Sequence, residues 1–545
     1  MSEAVTCKSG LTEKEKSTVF WASFLALLAC AVGFLFRVLT MGNWIKEFGI
    51  SGQEAGAIFG ASLWPIAITM ILFSLIVDKI GYKPSIYVAF ALQAISVVLC
   101  ATAQNADALW WGSFCAGLGH GIVEAVINPA CSSMYTKDKS TKLNILHAAW
   151  PAGMVVGSLF MIPIGVANSA AGVAAVEGSA GLAWRTHSWW MMIPVVIYGI
   201  MFIKSKFPVD ERVNANVPYR DMLKEVGFLG AFIAGTLLFY ELYRIITKSE
   251  PENLLWMSLG FGAVIGAAFG AFTKGIGKPL FFFLCVLMIP LATTELGTDA
   301  WIKELMTPQM GVYASWAIAL SAFIMMVLRF QAGVLLHKFN PPIVLCISSF
   351  FSMVGLLTLA GASGIMVFVA FVLYAVGQTF YWPTVLGLVS ERFPRGGALT
   401  LNTVSAIGLL SVGIIGTPIM GAFYDSNLAK EVKAISPEIH AASQTEKTFF
   451  SATYTGIDSA KASEAAGAAG LATKYEDAVN NAGRGALKTT ALAFPLVMLI
   501  CFALIALYFK SKGGYKPIVL ESEEGDGSDN KHEDPEGEPI PAVEL

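Results

Sequence analysis

The chain has 545 residues, of which 55% are hydrophobic and only 14% charged, with a mean hydropathy of +0.63. Soluble domains carry roughly 25% charged residues, so a water-facing surface is excluded for most of this length, and 36 Phe with 13 Trp exclude a disordered or fibrous chain. The net charge of −3 conceals an acidic tail: residues 521–545 hold ten acids against Lys531. The rest is a mildly basic body, which argues for a membrane partner and against nucleic acid.

In chain order, Met1 to Lys16 is polar, and the apolar run 19–41 exceeds a signal h-region of roughly 7–15 residues, so the first helix is expected to remain in the membrane. A hydrocarbon core about 30 Å thick takes roughly 20 apolar residues per helix. That ruler predicts six spans near 19–41, 54–77, 84–103, 108–134, 143–167 and 188–204, two more near 225–246 and 254–273, and six near 279–300, 310–336, 342–361, 364–390, 397–424 and 488–509. The expected fold is all-α integral membrane, with two pseudo-symmetric six-helix bundles plus two inserted helices, about 14 transmembrane helices in all. The expected divisions are an N-terminal bundle (1–205), a linker with the inserted pair (206–278), a C-terminal bundle (279–512) with an extracytoplasmic loop at 426–487, and an acidic tail (513–545).

Lysine and arginine placement orients the chain. Lys79, Lys83, Lys137, Lys139, Lys142, Arg212, Lys274, Lys338, Arg392 and Arg395 fall in one alternating set of loops, and the other set is poor in them. The basic set is expected to face the cytoplasm of a plasma or inner membrane, with both termini inside. Most cysteines sit in apolar runs without a CxxC pair, so no metal is expected. No cofactor or enzyme activity is expected either, and no G-x-x-x-x-G-K-[ST] loop for ATP is found.

Residues 119–144 can be laid on 377–402 at a constant offset of 258, matching Gly119 with Gly377, Ser132 with Ser390 and Asn144 with Asn402. Two parallel six-helix repeats around a mid-membrane site are an architecture of secondary transporters. The run Asp78-Lys79-Ile80-Gly81-Tyr82-Lys83 resembles the loop between helices two and three of the major facilitator superfamily, G-x-x-x-D-[RK]-x-G-[RK]-[RK], with Ser74 and Tyr82 departing from it. Within that superfamily the twelve-helix body resembles the fucose-permease-like sugar:proton symporters. Glu124-Ala125-Val126-Ile127-Asn128-Pro129, Asn144-Ile145-Leu146-His147, and Glu295 followed by Trp301 carry the likeness.

Ionisable groups inside a span mark a pathway by default. His120, Glu124 and Asn128 stand at i, i+4 and i+8, on one helix face. The resemblance implies proton handling by Glu124, and Arg37, which departs from the family's pattern, and Glu295 are expected as further members of the coupling set. Substrate contacts are expected from His120, Asn128, Asn144, His147, Gln378, Trp382 and Asn402, with Trp150 and Trp64 as further aromatic candidates. Asp78, Lys79 and Gly81 form the expected gating loop. Arg37 stands in the first span, where the fucose permease itself carries an acid. An internal pair with Glu124 or Glu295 is favoured for it, against an anion site or snorkelling outward. Asp299 is expected to be a solvated mouth residue and Arg329 to snorkel towards the basic loop. The expected function is alternating-access transport of a small solute, a hexose-like sugar, coupled to protons, by a monomer or weak dimer in the bilayer. The alternatives are an organic-anion or drug carrier using Arg37, and a transport-inactive sensor or scaffold.

Overall fold

The computed structural model describes residues 10–170, 179–299, 314–450 and 452–520; Trp301 and the acidic stretch 521–545 lie outside them. Helix α1 (Glu13–Phe48) begins on a reciprocal cap: Glu15 N–H donates to Thr12 Oγ1 at 3.3 Å, and Thr12 N–H donates to Glu15 Oε2 at 2.9 Å. It stops at Gly49, whose φ of +63° favours glycine. Its 36 residues run about 54 Å at 1.5 Å each, past both edges of the hydrocarbon layer.

The N-terminal half continues through α2 (Gly52–Gly60), α3 (Trp64–Ile80), α4 (Tyr82–Ala101), α5 (Ala106–Met134), α6 (Lys139–His147), α7 (Ala149–Ala170), α8 (Ser179–Trp190) and α9 (Met192–Ile203). A linker with α10 (Glu211–Asn214) leads to α11 (Tyr219–Thr247) and α12 (Leu254–Thr273). The C-terminal half holds α13 (Pro279–Ala292) and a π-helical turn (Thr293–Gly297), then α14 (Ala314–Phe330), α15 (Ala332–Leu336), α16 (Pro341–Gly361), α17 (Met366–Gln378), α18 (Tyr381–Arg392) and α19 (Gly397–Ser411). A second π-helical turn (Val412–Gly416) opens into α20 (Thr417–Ile435).

Eleven described segments are long and apolar enough to cross a membrane, beside two shorter apolar helices, His187–Ile203 and Ala319–Phe330. Helix α5, with His120, Glu124 and Asn128 on it, is not among the eleven. Length and composition therefore support a multi-pass membrane protein without reproducing the count of fourteen.

Helix α12 packs on α11, and only 22% of its apolar stretch is buried. Helix α11 in turn lies against α13 and α19 of the C-terminal half. The two halves meet where α3 runs along α19, α6 lies against α18, and α7 lies against α14.

The stretch 426–487, expected as a loop, is folded. Helix α20 runs on to Ile435, followed by α21 (Pro437–Ser443), an antiparallel hairpin of β1 (Gln444–Phe449) and β2 (Ala452–Ile457), α22 (Ser459–Ala468) and α23 (Ala472–Ala493). Leu428, Val432, Ile439, Ile457, Tyr475 and Ala478 form its own small core. Tyr475, Ala478, Ala482 and Ala486 recur at helical spacing and are all buried. Arg484 donates to the Ala362 carbonyl at 3.2 Å, tying this unit to the turn after α16. Helix α24 (Pro495–Ser511) then returns to the basic face.

Candidate functional site

Three prolines prepare the centre of the molecule. A proline has no N–H, so the carbonyl four residues earlier loses its helical partner. Pro129 frees Ala125, Pro151 frees His147 and Pro383 frees Thr379. Each freed carbonyl is taken by a side chain: Asn402 Nδ2 donates to Ala125 O at 3.4 Å, Arg329 Nη1 to His147 O at 3.0 Å, and Arg329 Nε to Thr379 O at 2.6 Å. The first two of these bonds join the halves.

In the N-terminal half, Glu124 Oε2 accepts from Asn128 Nδ2 at 2.6 Å, and Asn128 Oδ1 meets His147 Nε2 at 2.9 Å. His120 Nε2 stands 3.7 Å from Glu124 Oε1, and its ring stacks on Trp150 with centroids 5.4 Å apart. The structure thus brings His120, Glu124, Asn128 and His147 into one buried row. Among the described residues no lysine or arginine lies within ion-pair distance of Glu124. Trp64 packs on Phe114 instead.

In the C-terminal half, Glu295 sits on the π-helical turn, a kind of bulge frequent at functional sites. Its Oε1 accepts from Arg329 Nη2 at 2.8 Å and its Oε2 from Trp382 N–H at 3.2 Å. Arg329 is 1% exposed, so the expected snorkelling is corrected. Helix α14 ends immediately after it, at Phe330, and Glu295 with the two freed carbonyls offers more than the interface would. Asp299, expected at a solvated mouth, is half-buried and accepts from Gln378 Nε2 at 3.3 Å; Gln378 also donates to Ser321 Oγ at 2.8 Å.

Arg37 does not pair with either glutamate, and that expectation is corrected as well. It is 2% exposed, and its guanidinium donates to Ser113 Oγ (3.0 Å), Ser96 Oγ (3.0 Å) and the carbonyls of Gly33 (2.7 Å) and Gly112 (3.4 Å). Helix α1 turns it towards α4 and α5, where no described carboxylate reaches it.

Asn144 and Asn402, related by the repeat, both reach across the halves, Asn144 Nδ2 donating to Thr384 Oγ1 at 3.2 Å. The amide oxygens of Asn144, Gln378 and Asn402 are buried without a hydrogen-bond partner among the described residues.

At the basic face Asp78 pairs with Arg212, Lys79 lies over the Tyr219 ring at 4.9 Å, and Gly81 turns the chain at φ +89°. Tyr82 OH donates to Asp210 Oδ2 at 2.8 Å. Burial, with Asp78 nearby, pushes the Asp210 carboxyl up to about 6. Between the halves Lys139 Nζ contacts Glu211 Oε2 at 2.5 Å and Ser390 O at 3.0 Å, and the Ser140 hydroxyl donates to Glu391. The last described residues lie across this junction. Tyr515 OH donates to Glu391 Oε2 (2.6 Å), Ile518 N–H to Glu391 O (2.8 Å), Arg392 to Lys516 O (2.8 Å) and Leu520 N–H to Glu211 Oε1 (3.4 Å).

A sequence profile described as the Major Facilitator Superfamily matches residues 19–417. The chain belongs to that superfamily. It is 23% identical over 220 residues, 38% of its length, to the gentisate transporter of Corynebacterium glutamicum. The match spans 47% of that protein, about half the length of this curated relative. Among solved structures, the proton:xylose symporter XylE aligns over 92% of this chain and 96% of its own, with a TM-score of 0.56 at 12% identity. FucP of E. coli, in its outward conformation, aligns over 87% and 97% with a TM-score of 0.51 at 15% identity. These likenesses establish the fold, a major facilitator fold similar to that of the sugar:proton symporters.

Within that superfamily fold, sequence reasoning passed over Ser321, Glu211, Glu391 and Tyr515, and it read Arg329 and Lys139 only as interface and loop cations. The repeat gives no hint of Arg329, because Ile71 stands at its place in the first half. The prolines do give one, since Pro151 and Pro383 announce freed carbonyls inside spans.

Proposed function

We propose that this transporter is a proton-coupled carrier of a small polar solute, a hexose-like sugar, working by alternating exposure of a site between its halves. The observation that carries the reading is Glu124, a buried carboxylate held by Asn128 and His120, with no basic side chain but histidine beside it among the described residues. Such a group can load a proton and release it without breaking an arginine pair. The row it heads ends at His147, whose carbonyl holds Arg329 of the other half, so a change at Glu124 has a short route to the contact between halves. The unpartnered amide oxygens of Asn144, Gln378 and Asn402 support a sugar, because buried acceptors gain from hydroxyl donors. The basic face is the cytoplasmic one in this reading, with both termini inside a plasma or inner membrane.

A second reading, an organic-anion carrier, is favoured by Arg37 without a carboxylate and by the likeness to a gentisate transporter. Proteoliposomes given a pH gradient and a labelled panel of sugars and aromatic acids separate the two. Glu124→Gln is expected to abolish gradient-driven accumulation and leave energy-independent exchange within about threefold of the parent, a shift under ~1 kcal/mol. Full accumulation by the variant would remove Glu124 from the coupling role.

A further inference from the structure

The two arginines buried in the centre are treated differently. Arg329 faces Glu295 at 2.8 Å, whereas Arg37 has two serine hydroxyls, two carbonyls and the Cys100 thiol around it and no carboxylate among the described residues. Neutral acceptors satisfy N–H groups but leave the positive charge uncompensated, and a buried charge is costly without a counter-charge. Beside Arg37 is a void of about 40 Å³, lined also by Gly33, Gln93, Ser96 and His120. A water-sized particle needs roughly 10–15 Å³ by this measure, so the void takes a small ion or one carboxylate head and is too small for a whole sugar. Gly33 helps to keep it open: a Cβ there would stand 3.4 Å from Arg37 Nη1. The residues lining this void lie on α1, α4, α5 and α9 and in the turns before α3 and α9, all in the N-terminal half, away from the Glu295–Arg329 pair.

We propose that the space between Arg37 and His120 is a binding site for a small monovalent anion, either a halide or the carboxylate head of a carried solute. Arg37 supplies the charge, and Ser96 and Gln93 supply polar contacts on the wall. His120 lines this site and stands 3.7 Å from the Glu124 carboxylate, so one imidazole adjoins both the anion and the proton-handling acid. The site itself stands on Arg37 and the void, not on the carrier reading.

The full chain, purified in detergent at constant ionic strength, tests it by thermal unfolding as the bulky sulfonate MES, neither halide nor carboxylate, is replaced by chloride, and separately by acetate or benzoate. A ligand that binds only the native state raises the midpoint saturably; a rise of about 2–4 °C is expected at saturation. Response to chloride identifies a free halide as the occupant, and response to the carboxylates alone identifies the head of a solute. Arg37→Gln is expected to abolish the response. Because that variant can lose stability for other reasons, Gly33→Ala, which narrows the void and keeps the charge, is expected to weaken anion binding at least tenfold. Identical curves for the parent chain in all four salts overturn the proposal, as does an undiminished response in both variants. The readout is stability, so failure here is separable from failure of transport.

Discussion

Arg329 and Arg37 show how strongly the neighbourhood of one side chain decides its meaning. Both sit inside apolar runs, and among the described residues only Arg329 has a carboxylate to face. Glu295→Gln would leave Arg329 buried with its charge unmatched, and breaking a buried pair on one side costs about 3–5 kcal/mol. A thermal midpoint well below that of the parent is the expected outcome, with partial recovery when Arg329→Met removes the orphaned charge as well. If the single variant unfolds where the parent does, the pair contributes nothing to stability. At this scale the N-terminal row was legible, because His120, Glu124, Asn128 and His147 advertise themselves by spacing. The partners of Arg37 and the carbonyls that hold Arg329 were not, since serines and backbone carbonyls carry no signal that says which cation they will meet, and Glu295 was expected as a partner only for Arg37.

Helices α6 and α18 approach so closely that a Cβ on Gly387 would collide with Ser140. Gly387→Ala must therefore push them apart, and overpacking of this kind costs about 1–3 kcal/mol. That cost falls on the closed arrangement of the basic face. Faster maleimide alkylation of Cys131, 1% exposed in the parent, is the expected sign, resolved by peptide mapping. Unchanged alkylation would show that the contact does not govern access. Among elements, most apolar spans were readable from length and hydropathy, though not their count, and Pro151 and Pro383 carried a signal of freed carbonyls that a hydropathy reading passes over. The unit at 426–487 escaped because its helices pack on alanine, whose small side chain barely moves a hydropathy average.

For the whole molecule, the repeat foretold two halves, and Asn144 with Asn402 shows the same residue type crossing between them in both directions. What the repeat could not foretell is the asymmetric fastening at the basic face, where linker and tail residues enter from outside the repeated units. Ending the chain at Gly514 removes the bonds from Tyr515, Lys516, Ile518 and Leu520. With each bond worth about 0.5–1.5 kcal/mol net, at least a tenfold shift towards an open basic face is expected. Protease accessibility of the linker at 206–218 measures it, and equal cleavage rates would deny the strap a role. A pH effect belongs to the same face. The Asp210 carboxyl, faced by Tyr82, Asp78 and Arg212, is pushed from its ordinary 3.8 up to about 6. The folded state therefore binds more protons than the unfolded chain between those values, so stability falls as pH rises through that window and stays lower above it. Asp210→Asn is expected to flatten the slope of unfolding midpoint against pH, and an unaltered slope would assign it to another group.

The strap also has a consequence in time. Its residues are the last described ones to leave the ribosome, after every span from α1 to α24 has been made. A newly inserted carrier must therefore pass some interval with Glu391 and Glu211 not yet fastened by the tail. The membrane's permeability barrier during biosynthesis then depends on how quickly residues 515–520 find the junction between two bundles already in place.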